Sequence, residues 1–370
     1  MGKSVGIVTI PGNCSHGNKL QNYAVMRIYE ALGFETETLE CAKRSPLSAC
    51  RHFAGNIVYS RSEASPEDVM SAERREAFSR FAKRIPTRTV TESLRELSSR
   101  YDLFSVGSDQ VWNPRGIDCY QWMFLEFADK SQRIALSPSI GMSKIRSPYA
   151  RNLMRRGLNG FKHLSVREDD GAAVIRDLTG RDAEVLIDPT LMIDAKAWRL
   201  LSDGRLVPNG DYVLSFVLGN QSDDQKAYLE GVLSEYGASL VKLSDRSREG
   251  EVDAGPAEFI SLIANARHVV TDSFHAAVFS LLMGTPFTVF RRSGGSGSTM
   301  FSRLETLTRK FGAQHRIFGD ESFTGFDGPV SSEAFSLALR DERKKFAAFL
   351  SKCIEGIDIS SIADGVQGIG

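Results

Sequence analysis

Short β-rich runs that stop in polar, Gly- or Pro-marked loops, each followed by a stretch of helical period, recur along this chain. That alternation constrains the fold more than any other feature, because it is the pattern of parallel α/β units. Ser4–Ile10 reads as a buried strand, the loop PGNCSHGN follows it, and Lys19–Leu32 reads as a helix closed by Gly33. Phe34–Leu39 gives a second strand. Leu103–Val106 then runs into GSDQVWNP, Arg133–Leu136 into SPSIG, His163–Val166 into Arg167-Glu168, and Val185–Ile187 into Asp188-Pro189-Thr190. A second series opens after turn signals at Asp203-Gly204 and Pro208-Asn209-Gly210. It reads as strand Tyr212–Leu218, helix Asp223–Tyr236, strand Leu240–Leu243 and helix Ala257–Ala266. Strand His268–Thr271, helix Phe274–Met283, strand Phe287–Phe290 and helix Arg303–Phe311 complete it.

A length of 370 residues is more than one core usually serves. The expected division is a first domain over 1–195, a second over 205–325, and a charged amphipathic helix over 330–356 that returns to the first. Forty-six basic residues balance 46 acidic ones, so the overall positive charge that favours nucleic acid is missing. The five cysteines are scattered and never form CxxC, which argues against a disulfide scaffold or a zinc module. Cys14 and His16 have no further ligand pair and HExxH is absent, so no metal is expected. No apolar run reaches the roughly 18–20 residues that span a bilayer, and the N-terminal run enters a strand without a signal-peptide pattern. The expected compartment is the cytoplasm, with at most peripheral contact at the inner face of the membrane.

In open parallel sheets, ligands bind outside the carboxyl ends of the strands, so the strand-end loops hold the candidates. In Pro11–Asn22, Gly12 and Gly17 permit close backbone approach and the following helix start favours an anion or polar ligand. The structural alternative has Asn18 capping the helix, with Gln21 and Asn22 on its exposed face. Neither GxGxxG nor GxxxxGK[ST] occurs there. In Gly107–Pro114, Trp112 offers an apolar platform, and Ser108, Asp109, Gln110 and Asn113 a hydroxyl-reading rim, which suits a sugar. Alternatively Asp109 and Asn113 satisfy their own backbone and Trp112 is core. Arg167 presents a planar fork suited to carboxylate or phosphate, or else pairs with Glu168, Asp169 or Asp170. Asp188-Pro189-Thr190 reads as a strand-stopping turn. In Thr271–His275, Asp272 or Ser273 can cap the helix that carries His275 in its first turn. A nearby carboxylate or bound anion would let that His serve as a proton donor against the helix's positive end. Arg291, Arg292 and Arg303 flank the glycine-rich stretch Gly294–Ser298, either to grip an anion or as a solvated basic edge.

Taken in order, GNKLQNYAV, YDLFSVGSDQVWNP, FLEFADKSQRIALSPSIG, LSVREDDGAAVIRDLTGRDAEVLIDPTL, FISLIANARHVVTDSFHAAVFSLLMGTPFTVF and SRLETLTRKFG resemble the polysaccharide pyruvyl transferase family. The resemblance spans roughly residues 5–312. It implies a glycosyltransferase-B-like fold, two Rossmann-like domains about a cleft with a C-terminal helix returning to the first. It also implies phosphoenolpyruvate as donor and co-substrate, no other cofactor, and a saccharide or lipid-linked oligosaccharide as acceptor. The family's donor-binding Arg matches Arg167, and its essential C-domain His matches His275. Where the family has Arg-x-His, this chain has Ser273-Phe274-His275, so Arg291, Arg292 or Arg303 would have to supply the missing cation beside Ser273. Asn18, Gln21, Asp109 and Gln110 would orient the acceptor, with Trp112 as a stacking surface. The competing reading is a glycosyltransferase-B-type enzyme with a nucleotide-sugar donor.

Overall fold

Two all-parallel sheets carry the chain, as the alternation predicts. The computed structural model describes residues 3–12, 15–41, 70–114, 120–245, 247, 249–292, 301–325 and 332–367. Gly294–Ser298, Cys14, Cys50 and Cys119 lie outside the described residues. The first unit runs β1 (Ser4–Val8), α1 (His16–Ala31), β2 (Glu35–Cys41), α2 (Ala72–Ala82), β3 (Thr87–Val90), β4 (Leu103–Val106) and β5 (Arg133–Ala135). It continues with α3 (Pro148–Leu158), β6 (Ser165–Val166), α4 (Asp169–Thr179), β7 (Glu184–Val185) and α5 (Ala195–Leu201). Its main sheet has the order β3-β2-β1-β4-β5, and β6 pairs with β7 as a separate parallel pair. Val5, Ile7 and Val8 are fully buried, because a central parallel strand is covered on both faces. The edge strand β3 escapes a hydrophobicity reading, since Val90 alone of its four residues is buried.

The second unit runs β8 (Tyr212–Phe216), α6 (Asp223–Tyr236), β9 (Ser239–Lys242), α7 (Pro256–Ala264), β10 (His268–Thr271), α8 (Phe274–Met283), β11 (Phe287–Val289) and α9 (Ser302–Lys310). Its sheet order is β11-β10-β8-β9. Each sheet therefore reverses direction at one place, between β1 and β4 in the first and between β8 and β10 in the second. Such switch points open a crevice at the strand ends. The candidate loops after β1, β4 and β10 lie at these two crevices.

The units share one core. Tyr23 of α1 meets Phe81 and Trp198, Trp198 meets Phe279, and Phe279 meets Phe259, with ring centroids 5.1–5.9 Å apart. Trp198 belongs to α5, in a stretch that the sequence marks only by turns, and its Nε1 donates to the carbonyl of Thr190 at 3.0 Å. The last long helix, α10 (Ser332–Cys353), lies on the first unit. Arg343 donates from Nε to Leu191 O (2.8 Å) and pairs with Asp194 (2.7 Å), while Lys345 reaches Val185 O. Among the described residues, no helix is long and apolar enough to cross a membrane.

Candidate active site

The two crevices meet at Asp188, the residue that the sequence assigned to a turn. Its Oδ1 accepts from the amide and hydroxyl of Thr190 at 3.0 and 2.7 Å, as an Asx turn should. Its Oδ2 faces the other way and accepts from Arg167 Nη1 at 2.6 Å and Ser108 Oγ at 3.0 Å. Burial by itself would push this carboxyl up. His275, Arg167 and the Thr190 amide outweigh that burial and hold it well below the usual carboxylate range. Arg167 thus pairs with Asp188, at 2.6 Å, and more loosely with Asp109, at 3.8 Å. The sequence pointed instead to Glu168, Asp169 or Asp170. Glu168 is taken up elsewhere, where its Oε1 accepts from Ser139 Oγ and the amides of Ile140 and Gly141. Asp169 meets Thr306 and Arg309 of α9, which ties that helix to the first unit.

His275 enters from the second unit, as the second residue of α8. Its Nε2 lies 3.6 Å from Asp188 Oδ2, an ion-pair separation beyond hydrogen-bond reach. The sequence reading asked for a carboxylate or anion beside this His, and Asp188 is that carboxylate. The ring also packs on the first turn of α1. A Cβ built on Gly17 would fall 2.0 Å from His275 Nδ1, so Gly17 provides the close approach that the loop's glycines suggested. What approaches is the imidazole. Ser273, just ahead of α8, is nearly buried and makes no side-chain cap; its amide donates to Thr271 Oγ1 at 2.9 Å.

The three downstream arginines part ways. Arg291 is half exposed, pairs with Glu305 at 2.9 Å and stacks over Phe301. Arg292 pairs with Asp272 at 2.8 Å, and Asp272 also accepts from the amides of Leu218 and Gly219. Arg303 is the one that faces Arg167. Both guanidinium groups lie over the ring of Phe274, with Cζ 4.2 Å (Arg167) and 6.0 Å (Arg303) from its centroid. Burial, then the charge of Arg167, push Arg303 down to about 10. Gln110, oriented to satisfy both ends of its amide, accepts from Nη1 and Nη2 of Arg303 at 3.1 and 2.9 Å. Gln110 and Asp109 therefore border the arginines.

One expectation for the acceptor side, and one structural alternative, need correction. Trp112 is fully buried, donates from Nε1 to Met123 O at 3.0 Å and stacks on Phe124, so it is core and offers no sugar platform. Asn18 does not cap α1. Ser15 does, with its Oγ accepting from the Asn18 amide, and the helix begins one turn earlier than expected. Gln21 and Asn22 are buried instead of lying on an exposed face. Gln21 then donates to Thr9 Oγ1 (2.8 Å) and accepts from the Ser108 amide (2.7 Å), so it braces the β4 loop. Asn18 is also buried, and its Nδ2 has no partner among the described residues. Among the described residues, no three His, Cys, Asp or Glu side chains are grouped as a metal would need.

Sequence reasoning missed Asp188 and Phe274 as members of the site, and expected Ser108 only in a hydroxyl-reading rim. One signal was available for Asp188, since it closely follows β7, the strand paired with the one that runs into Arg167. A cavity of about 860 Å³ opens elsewhere, between α10 and the end of α8, and shares no lining residue with the His275–Arg167 cluster.

A family model described as polysaccharide pyruvyl transferase matches residues 16–294. No curated protein matches the sequence. Among solved structures, the chain is similar to a UDP-GlcNAc 2-epimerase from Methanocaldococcus jannaschii, with 12% identity, 91% of each chain covered and a TM-score of 0.47. It is also similar to an Arabidopsis thaliana protein solved with UDP-L-rhamnose, with 12% identity, 98% of each chain covered and a TM-score of 0.45. Likenesses this distant carry no argument about substrate.

Proposed function

The chain belongs to the polysaccharide pyruvyl transferase family, and on that premise we propose that it moves a pyruvyl group from phosphoenolpyruvate to a saccharide as a ketal. The observation that carries this reading is the state of Arg167. Its side chain is almost wholly buried, yet among the described residues Nε and Nη2 have no hydrogen-bond partner, Asp109 standing 3.8 Å from Nη2. Unpaired buried donors are costly, and a second cation, Arg303, lies across Phe274 from them. A donor with about three negative charges, counting its carboxylate and phosphate, would satisfy the free edge and relieve the repulsion between the two guanidinium groups. Arg303 then takes the place of the family arginine that Ser273 lacks.

The chemistry follows from the charges. His275 delivers a proton to the methylene carbon of phosphoenolpyruvate, and the adjacent carbon becomes oxocarbenium-like. A sugar hydroxyl forms a C–O bond to that carbon and its proton returns to His275. A second hydroxyl of the same sugar forms the other C–O bond as the C–O bond to phosphate breaks, and its proton leaves with phosphate. The arginines stabilise the leaving dianion. In this scheme Asp109, Gln110 and Asn18 are assigned to orienting the acceptor. Phosphoenolpyruvate is a co-substrate here and the scheme uses no resident cofactor. The acceptor is a cell-surface polysaccharide precursor, free or lipid-linked, met in the cytoplasm or at the inner face of the membrane.

Calorimetric titration with phosphoenolpyruvate tests the reading. Arg167→Ala should weaken binding by roughly 1.5–3 kcal/mol, the scale of a hydrogen bond to a charged group. Arg167→Lys keeps the charge beside Asp188 but should not restore affinity, because a point charge lacks the fork. Unchanged affinity in both variants would leave Arg167 with its ion pair to Asp188 and nothing more.

A further inference from the structure

Asp188 has no step in that scheme, yet both of its carboxylate oxygens are coordinated in the middle of the site. Oδ1 is fixed by Thr190 and Oδ2 by Arg167 and Ser108. With three residues bonded to it and no exposure, this carboxylate has no freedom to rotate. Its remaining neighbour belongs to the other unit. His275 Nε2 lies 3.6 Å from Oδ2 and is itself buried, with no hydrogen-bond partner among the described residues. A shift of under an ångström closes that gap, the kind of tightening that accompanies substrate binding. The Nδ1 edge of the ring lies instead over Gly17, in the first turn of α1 at the β1 crevice.

We propose that Asp188 is the positioning residue of the transfer. It engages His275 Nε2 across the junction, so that the proton at Nδ1 is the one delivered to the donor. The same oxygen holds Arg167 with Nε and Nη2 turned toward the donor's anionic groups. An enclosed nitrogen facing a fixed carboxylate cannot reach a substrate carbon, whereas it can set the angle of the ring that carries the other nitrogen. One oxygen atom of the first unit thereby joins donor binding to proton delivery from the second. This inference rests on the pyruvyl-transfer reading.

The test compares the full-length parent with Asp188→Asn, His275→Gln and the double variant, by phosphate release from phosphoenolpyruvate and by thermal unfolding. Asp188→Asn should lower kcat by about 10²-fold, the cost of a misplaced reacting group. In the His275→Gln background, the same change should cost less than about twofold in kcat, because no acid remains to be positioned. The donor's KM should still rise there, since Arg167 has lost its anchor. Equal kcat losses in both backgrounds, or a parental kcat in Asp188→Asn, would overturn the proposal. Should Asp188→Asn fail to fold, Thr190→Val removes one bond to Oδ1 and keeps the charge. It should lower kcat severalfold in the parent and not in His275→Gln, and equal losses would again overturn the proposal. A parent that releases no phosphate with any acceptor overturns pyruvyl transfer instead. The Asp188–His275 coupling is then read in the unfolding of the same four proteins, where non-additive Tm shifts support it and additive shifts refute it.

Discussion

The two strand-end edges that face each other are built by different means. The first unit's edge is a buried hydrogen-bond network. Gln21 links Thr9 to the Ser108 amide, Ser137 Oγ donates to Ile187 O at 2.8 Å, and Glu168 gathers Ser139 and two amides. The second unit's edge has its own network at Asp272, with Arg292 and the Leu218 and Gly219 amides, but around His275 it is packing. Each residue of α8 from Phe274 to Met283 is buried, so packing carries His275 and leaves its ring only the sub-ångström play that closes on Asp188. The first edge can therefore hold charge, in Arg167 and Asp188, because each charge has fixed partners. The second holds its imidazole by shape. Neither edge alone has the parts for the proposed chemistry, and the shared aromatic core keeps them together.

If shape fixes His275, a single methyl group should unfix it. Gly17→Ala places its Cβ 2.0 Å from His275 Nδ1, and the ring must swing out of line. We expect kcat to fall about 10²-fold and stability to drop by about 1–3 kcal/mol from overpacking. Parental turnover in this variant would mean that the ring has freedom its packing denies. A smaller effect separates the arginines. Arg303→Ala should raise the donor's KM about tenfold with less change in kcat, because this charge binds the anion and does not touch the reacting carbon. Arg291→Ala removes an exposed pair with Glu305, of the kind worth about 0–1 kcal/mol, and should leave KM within about threefold. Equal effects from the two would erase the distinction between the cleft arginine and the surface one.

A different effect, on stability instead of turnover, concerns the seam at low pH. His16 opens α1, but its ring stacks on Phe259 of the second unit at 4.9 Å, and its Nε2–H donates to Ala254 O at 2.9 Å. Burial, then the nearby Arg74, lower its pKa to about 3. Burial, with Arg316 adding to it, likewise lowers His268 to about 3. Between about pH 6.5 and 3 the unfolded chain binds protons on these residues that the folded chain does not, so stability rises with pH across that window. Acidifying from pH 7 to pH 5 should cost about 2 kcal/mol from His16 alone, and Tm should fall. His16→Leu should flatten the profile. A Tm that does not change from pH 7 to pH 5 would show that the imidazole is not held neutral in the seam.

Elements with local stop signals were legible in the sequence. Helices Asp223–Tyr236 and Phe274–Met283 stand where their patterns place them, because Gly237 and Gly284 close them in left-handed conformations. Helix α1 was read one turn short, since Ser15 and Asn18 are both good caps and only the folded chain chooses between them. His275 and Arg167 were visible because each follows a strand and carries a chemically specific group. Asp188 was not, because an Asp-Pro pair explains itself locally as a turn. Its other roles come from Arg167 and Ser108, 21 and 80 residues away in sequence. Trp112 left two readings open until Phe124 was seen to stack on it.

The most direct measurement of the central claim is phosphate release from phosphoenolpyruvate by the purified protein, against a panel of free and lipid-linked saccharides, with mass analysis of the product. The account predicts release that depends on one acceptor class, a pyruvate ketal on that saccharide, and loss of both in His275→Ala by about 10²–10⁴-fold. Turnover of a nucleotide sugar on the same panel, with phosphoenolpyruvate left intact, would contradict it.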